Sequence, residues 1–331
     1  MPASCRKAVI AATCLLSFAQ LHAEPFKIAV IPDTQWATQK WPELPLAMTK
    51  WLVANQKKEN IRYVLHVGDL VQVGSSEQEW KNIDKAFSVL DGKLDYIVVP
   101  GNHDMDRINP PRSTVLYNKY FPVKRFEEMK GFGGNYPEGS NDNSYHTLKG
   151  SGKKWLVLGL NFSPADDEIA WANKVVEGHA DHQVILLTHS YLTHTERDRA
   201  GKILWEKLVK RHANISMVFC GHLSTVHSRD VGENGNTVCE MLFNWQNDQD
   251  ADMNSYFAII TIDPEAGTIS SRAYSPTLDK DLEGGRSGKF EFDKVRFMST
   301  EKAPAENAEK VKEEAKPAKE QEKPANAGSL R

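Results

Sequence analysis

Two carboxylates (Asp33, Asp69), two amides (Gln35, Asn102) and three imidazoles (His103, His189, His222) are the residues of this 331-residue chain whose types and spacing could do chemistry. Each lies just beyond a short apolar, β-branched run. Ile28 to Ile31 precedes Asp33, Tyr63 to Val67 precedes Asp69, and Tyr96 to Val99 precedes Asn102-His103-Asp104. Val184 to Leu187 leads to His189, and Ile215 to Cys220 leads to His222. Such runs read as buried strands, and Pro100-Gly101 stops the third one abruptly. A single polar residue after a strand is a turn. Five strands that all end in Asp, Asn or His describe a site, because ligands bind beyond the carboxyl ends of strands in an open α/β sheet. The converging donors form a mixed oxygen and nitrogen set that suits Mn, Fe, Zn or Mg better than a thiolate-preferring metal, with Asp69 placed to bridge two ions. Two ions about 3.5–4 Å apart can share a hydroxide nucleophile and clamp the oxygens of an in-line phosphoryl displacement. His103 is then free to protonate the leaving oxygen.

These residues must be positioned by the elements between them. From Phe26 to Leu192 the chain alternates strands with helices. Leu44, Met48, Trp51 and Leu52 mark one helical face, with Pro42 suited to its first turn; Trp80, Ile83, Phe87 and Leu90 mark another, with Ser76 and Glu79 in front of it as a capping box. Further helices are predicted over 166–177 and 199–210. Beyond His222 the pattern changes to strands over 237–245, 255–262 and 268–274, the last two joined by a turn at 263–267. The expected architecture is a layered α/β domain over 24–298 in which two sheets pack face to face with helices outside. Segment 105–150 shows few periodic stretches and leaves directly from the proposed site, so it is assigned as an active-site loop or lid. Its Arg107, Arg112, Lys124 and Arg125 either meet an anionic substrate or solvate the loop. Tyr145, His146 and Tyr191 are candidates for lining a substrate pocket, with a structural role as the competing reading. His66 is read as a packed residue behind the ligands, and His194 and His227 as surface loop residues.

The two ends differ in kind from this middle. Residues 1–23 carry Arg6 and Lys7, an apolar run from Ala8 to Ala19, and Leu21-His22-Ala23. They read as a secretory signal peptide cleaved after Ala23, with Ala19 as a second candidate, and the run is too short for a bilayer anchor. The expectation is an exported protein, periplasmic or extracellular, with no transmembrane segment in the mature chain. Residues 299–331 are rich in Lys, Glu, Ala and Pro and from Glu301 hold no aromatic residue, so they are expected to be a disordered tail. Of four cysteines, Cys5 and Cys14 leave with the signal; Cys220 and Cys239 either pair in an oxidising compartment or stay as buried thiols. A chain of this length buries a full core without disulfide staples. The formal charge of −3 supplies no general electrostatic reason to bind long nucleic acid or an anionic membrane.

Asp33-Thr-Gln35, Gly68-Asp69, Gly101-Asn-His-Asp104, His189 and Gly221-His222 occur in the order and approximate spacing of the calcineurin-like metallophosphoesterases, which this chain resembles over 26–280. More narrowly, Pro32-Asp-Thr-Gln35, Trp171-Ala-Asn173, Thr188-His-Ser-Tyr-Leu192, Gly235-Asn-Thr-Val238 and Tyr274-Ser-Pro276 look like an exported bacterial subgroup whose first motif is Pro-Asp-Thr-Gln. The resemblance implies a four-layer αββα sandwich of two mixed β-sheets and hydrolysis of a phosphomonoester or phosphodiester. It implies Asp33 and Gln35 on a first metal, Asp69 bridging, Asn102, His189 and His222 on a second metal, and His103 as the general acid. Three positions depart from the family pattern: Gln35 replaces an imidazole, Gln72 an aspartate, and Ser224 a second imidazole. The second metal set is therefore complete. The first is oxygen-rich and weaker, favouring Mn or Mg over Zn, and His103 is left without its usual orienting aspartate. Two alternatives stand beside the hydrolase: a metal-binding protein that recognises a ligand without turning it over, and a nucleotide phosphodiesterase or nuclease, long nucleic acid being disfavoured by the absence of a basic surplus.

Overall fold

Alternation of side chains along the strands decides how the layers stack. The computed structural model describes residues 23–106 and 112–298; the signal-like start, the tail and Arg107 lie outside the described residues. The strands are β1 (Phe26–Ile31), β2 (Ile61–His66), β3 (Tyr96–Val98), β4 (Phe132–Tyr136), β5 (Asn143–Gly150), β6 (Lys153–Gly159), β7 (Gln183–Leu187), β8 (Ile215–Cys220), β9 (Val226–Val231), β10 (Thr237–Leu242), β11 (Phe257–Asp263), β12 (Thr268–Ser275), β13 (Lys280–Asp281) and β14 (Glu291–Phe292). The helices are α1 (Gln35–Lys40), α2 (Glu43–Asn55), α3 (Glu77–Phe87), α4 (Val115–Tyr120), α5 (Val123–Glu127), α6 (Asp166–Gly178) and α7 (Arg199–Lys207).

One sheet runs β13-β12-β11-β1-β2-β3, with β14 also paired to β12, and the other runs β4-β5-β6-β7-β8-β10-β9. Ile28, Val30, Leu65 and Ile97 of the first sheet meet Trp155, Val157, Ile185, Met217 and Phe219 of the second in the core between them. The alternate residues Ala29, Ile31, Val64 and Val98 face α2 and α3 through Met48, Leu52, Trp80, Ile83 and Phe87. On the far side Leu156, Leu158, Leu186 and Val218 face α6 and α7 through Ile169, Val176 and Leu204. Period-2 strands with both faces apolar, covered by helices of period 3.6, produce four layers, αββα. Each sheet is mixed. β1, β2 and β3 run parallel, as do β6, β7, β8 and β10, while β11 and β5 pair antiparallel. The parallel strands of each sheet therefore discharge their chains at one edge, where the polar residues gather.

Two sequence expectations change in detail. Ser76 caps α3 by accepting the Glu79 N–H, but the Glu79 carboxylate does not return to Ser76; it accepts from the Gln72 and Val73 amides and so holds the loop that follows Asp69. Segment 105–150, expected as loop, is ordered structure over most of its described length. Tyr117 of α4, Phe121 just after it and Phe126 of α5 are buried on the helix side of the first sheet, and β4 and β5 extend the second sheet. Single-turn helices and a hairpin are too short to display a legible period. Cys220 and Cys239 are free and buried. No helix of the described residues is long and apolar enough to cross a membrane.

Phe87 is fully buried and packs edge-on against His66, Tyr96 and Phe121. Phe87→Ala should cost about 3–5 kcal/mol of folding stability, read from the shift of the urea midpoint at unchanged slope.

Candidate metal centre

Beyond β2 the chain turns through Val67 and Gly68 to Asp69, a non-glycine residue held at φ +53°. Its buried carboxylate works in two directions. Oδ1 accepts the backbone N–H of His103 at 2.8 Å, and Oδ2 lies 3.1 Å from His189 Nε2. The approach of β3's exit to this carboxylate requires Gly101, since a Cβ there would lie 2.2 Å from Asp69 Oδ1.

His189 leaves β7 fully buried and donates from Nδ1 to the Val67 carbonyl at 2.9 Å. That bond turns Nε2 towards Asp69 and towards Asn102 Oδ1, 3.2 Å away. A backbone carbonyl on one ring nitrogen with the other aimed at a donor cluster is the orientation of a metal-ligating imidazole. His222, at φ +74° after β8, completes the group. One ligand atom each from Asp69, His189 and His222 lie within 4.8 Å of one another, the only such cluster of three or more His, Cys, Asp or Glu among the described residues. The Phe162 ring packs at 5.9 Å from His189 and 5.6 Å from His222, closing one side with an apolar wall. A carboxylate, an amide carbonyl and two imidazoles fit a borderline divalent ion.

Charge is concentrated here. Burial opposes ionisation of His189, yet Asp69 and Asp33 push it up to about 10, so the metal-free imidazole carries a proton. Burial pushes Asp69 up, but the His189 charge and the His103 N–H outweigh it and hold the carboxyl below its usual range. Burial drives Asp33 well above that range, against the pull of His189. His222 is lowered, by burial first.

His103 donates from Nδ1 to the backbone carbonyl of Gln72 at 3.0 Å, and Nε2 has no hydrogen bond among the described residues. The main chain at the departing position thus supplies the orientation that the missing aspartate would have given. Asp104 does other work: Oδ1 accepts from Val71 N and Oδ2 from Gly101 N, closing the loop around Asp69. Burial, then Asp69, pushes its carboxyl up to about 8. His66 is buried between Thr34 Oγ1 at 3.0 Å and the Gly68 N–H at 3.1 Å, and burial lowers it to about 3. It braces the β2 exit as a neutral ring, consistent with its reading as a packed residue.

The Asp33 carboxylate accepts the His222 N–H at 3.0 Å, Asn244 Nδ2 at 2.9 Å and Gln246 Nε2 at 3.4 Å. Asn244 and Gln246 were not among the sequence candidates. They leave β10, which runs parallel to β8, so they stand at a sixth strand exit on the same edge. The signal is an apolar run ending in Asn and Gln, but the predicted strand over 237–245 runs through Asn244 and stops just short of Gln246. Gln35 is the first residue of α1, buried, with its Oε1 unpartnered. Ser224 lines a cavity of about 510 Å³ together with His222, Asn244 and Gln246.

Three pocket candidates are corrected. The Tyr191 hydroxyl donates to the buried Glu240. Tyr145 packs between Trp171 and His179 on the outer side of the second sheet, and His146 is buried among Tyr63, Phe126 and Phe132. His146 and Tyr191 are fully buried, and Tyr145 is half-buried against α6. His227 belongs to β9 and lies against Phe290 rather than in a loop. Arg112 holds its guanidinium 5.8 Å from the Phe162 ring and lines a 320 Å³ cavity with Arg199.

Asp, Asn and His donors thus stand together at the strand exits of a four-layer αββα sandwich. Residues 26–225 match the family model for calcineurin-like phosphoesterase, and the chain belongs to that family. It is 31% identical over 253 residues to the uncharacterized protein YvnB of Bacillus subtilis (strain 168), covering 74% of this chain and 19% of that protein. The chain thus spans about a fifth of that relative's length. Among solved structures, purple acid phosphatase PPD1 from yellow lupin (Lupinus luteus) seeds shares the fold with a TM-score of 0.53 at 11% identity, over 82% of this chain and 54% of that one.

Two outcomes follow from this geometry. Because ion uptake displaces the proton on His189, apparent metal affinity should rise with pH, by up to about tenfold per unit, until about pH 10; competition against a chelator of known affinity measures this. Gly101→Ala should lower the affinity by at least about tenfold, since Asp69 must move aside; the same titration reads it.

Proposed function

We propose that this chain hydrolyses a phosphomonoester or phosphodiester of a small compound, with His103 as general acid. The observation that carries this reading is the double use of Asp69: one oxygen fixes the main chain of His103 and the other faces His189. The proton donor and the ligand cluster are thereby held to one carboxylate. Asp69, Asn102, His189 and His222 would hold a divalent ion, Mn, Fe, Zn or Mg, which when bound polarises a phosphoryl oxygen and acidifies water. His103 keeps its Nδ1 proton on the Gln72 carbonyl, so Nε2 is the nitrogen that delivers a proton to the leaving oxygen. Phe162 excludes water from the ligand side, and Arg112 beyond it offers a positive charge to an anionic substrate. The amides around Asp33 favour a second reading, a protein of the same fold that recognises a phosphorylated ligand without turnover. Retention of His103 argues against it, because binding alone has no use for a proton donor.

Hydrolysis of p-nitrophenyl phosphate and bis-p-nitrophenyl phosphate across Mn, Mg, Zn and Fe tests the proposal. His103→Ala should lower kcat by about 10²–10⁴-fold with ion content unchanged, and Asp69→Ala should abolish both ion binding and turnover. A folded, metal-loaded wild-type chain no faster than either variant would sink the hydrolase reading and leave the recognition reading standing.

A further inference from the structure

The residues at the family's first metal position do not fit a metal as those at the second do. We infer that this chain holds a single ion, at Asp69, Asn102, His189 and His222, and that a cradle of amides replaces the other. This inference rests on the metal-centre reading above and narrows it.

Asp33 is the one carboxylate particular to the first position. Its carboxylate is enclosed by donors: the His222 N–H, Asn244 Nδ2 and Gln246 Nε2. The Asn244 amide cannot be turned to present its oxygen, because Asn244 Oδ1 already accepts the Gln246 N–H at 3.0 Å. Asp33 Oδ1 packs so closely on Gly221 that a Cβ there would lie 2.1 Å away. Hydrogens thus surround Oδ2, while Oδ1 lies against Gly221 and takes the His222 N–H at 3.3 Å.

What remains around Asp33 is poor in ligands. Asp33 is not part of the group of His, Cys, Asp and Glu whose ligand atoms come together. Gln35 and Ser224 stand where the family resemblance implies imidazoles, and both are neutral. The unpartnered Oε1 atoms of Gln35 and Gln246 could join a hard cation only as weak carbonyl ligands, and the Gln246 amide is already bonded to Asp33 through Nε2. Backbone and amide N–H groups are thus the partners this carboxylate has in place of a cation.

Manganese titration of the metal-stripped full chain, followed by desalting, elemental analysis and electron paramagnetic resonance, tests this directly. One equivalent per chain with an uncoupled six-line spectrum is expected. His189→Ala and, should that variant fail to fold, Asn102→Ala should lose it, whereas Gln35→Ala and Gln246→Ala should retain one equivalent. Two equivalents with an exchange-coupled spectrum, one of them lost in Gln35→Ala or Gln246→Ala, would overturn the single-ion inference and leave the phosphoesterase reading intact. No bound ion in the wild-type chain would overturn both.

Discussion

Everything at the strand-exit edge depends on a single buried anion, the carboxylate of Asp69. A carboxylate removed from water must be compensated on nearly every side, and Asp69 meets this with His189 on one oxygen and the His103 amide on the other. Those two contacts come from different sheets, β7 in one and the segment after β3 in the other. The charge therefore works as a clamp across the open end of the sandwich. The apolar layer between the sheets sets the distance, and Asp69 sets the register of the loops above it. Its left-handed backbone is the local cost of aiming one side chain at two partners.

Around this clamp the polar residues that bind no ligand are as ordered as those that would. Thr34 joins the β1 exit to His66 and to the Leu70 carbonyl, Asp104 joins the β3 exit to Val71, and Glu79 reaches back from α3 to the Gln72 and Val73 amides. All of these but the Thr34–His66 bond use a main-chain group of the loop after β2. A loop held at that many points keeps its shape with or without an ion, and this is how rotamers in a reacting cluster are placed within fractions of an ångström. The neutral state of His66, enforced by burial, matters here: a second positive ring next to His189 would undo the charge balance at Asp69.

Much of this was legible in the sequence, for a physical reason. Strand exits are local: the apolar run and its terminal Asp33, Asp69, Asn102, His189 or His222 are adjacent in the chain, and parallel strands then carry them to one edge. The face-to-face sheets followed from the same runs. What escaped notice depends on contacts between distant segments. Asn244 meets Asp33 across 211 residues, and its motif was hidden because the strand pattern continued through it. The orienting partner of His103 is a main-chain carbonyl, which any residue at Gln72 would supply. Helices α4 and α5 are one turn or so long, and their Tyr117 and Phe126 become core only once the first sheet exists to receive them. Tyr145, His146 and Tyr191, open in the sequence between a pocket and a structural role, take structural contacts that depend on distant segments: Trp171 beside Tyr145, Tyr63 and Phe126 around His146, and Glu240 on Tyr191.

Cys220 and Cys239 face opposite sides of one sheet. Cys220 belongs to the layer between the second sheet and its helices, while Cys239, on the adjacent strand, belongs to the layer between the sheets. A full thickness of β-sheet separates the sulfurs, and both thiols are shielded from solvent. The described residues hold this fold without a disulfide, and neither of their thiols is open to solvent. A fold of this kind can be made in a reducing compartment or matured in an oxidising one and arrive at the same covalent structure.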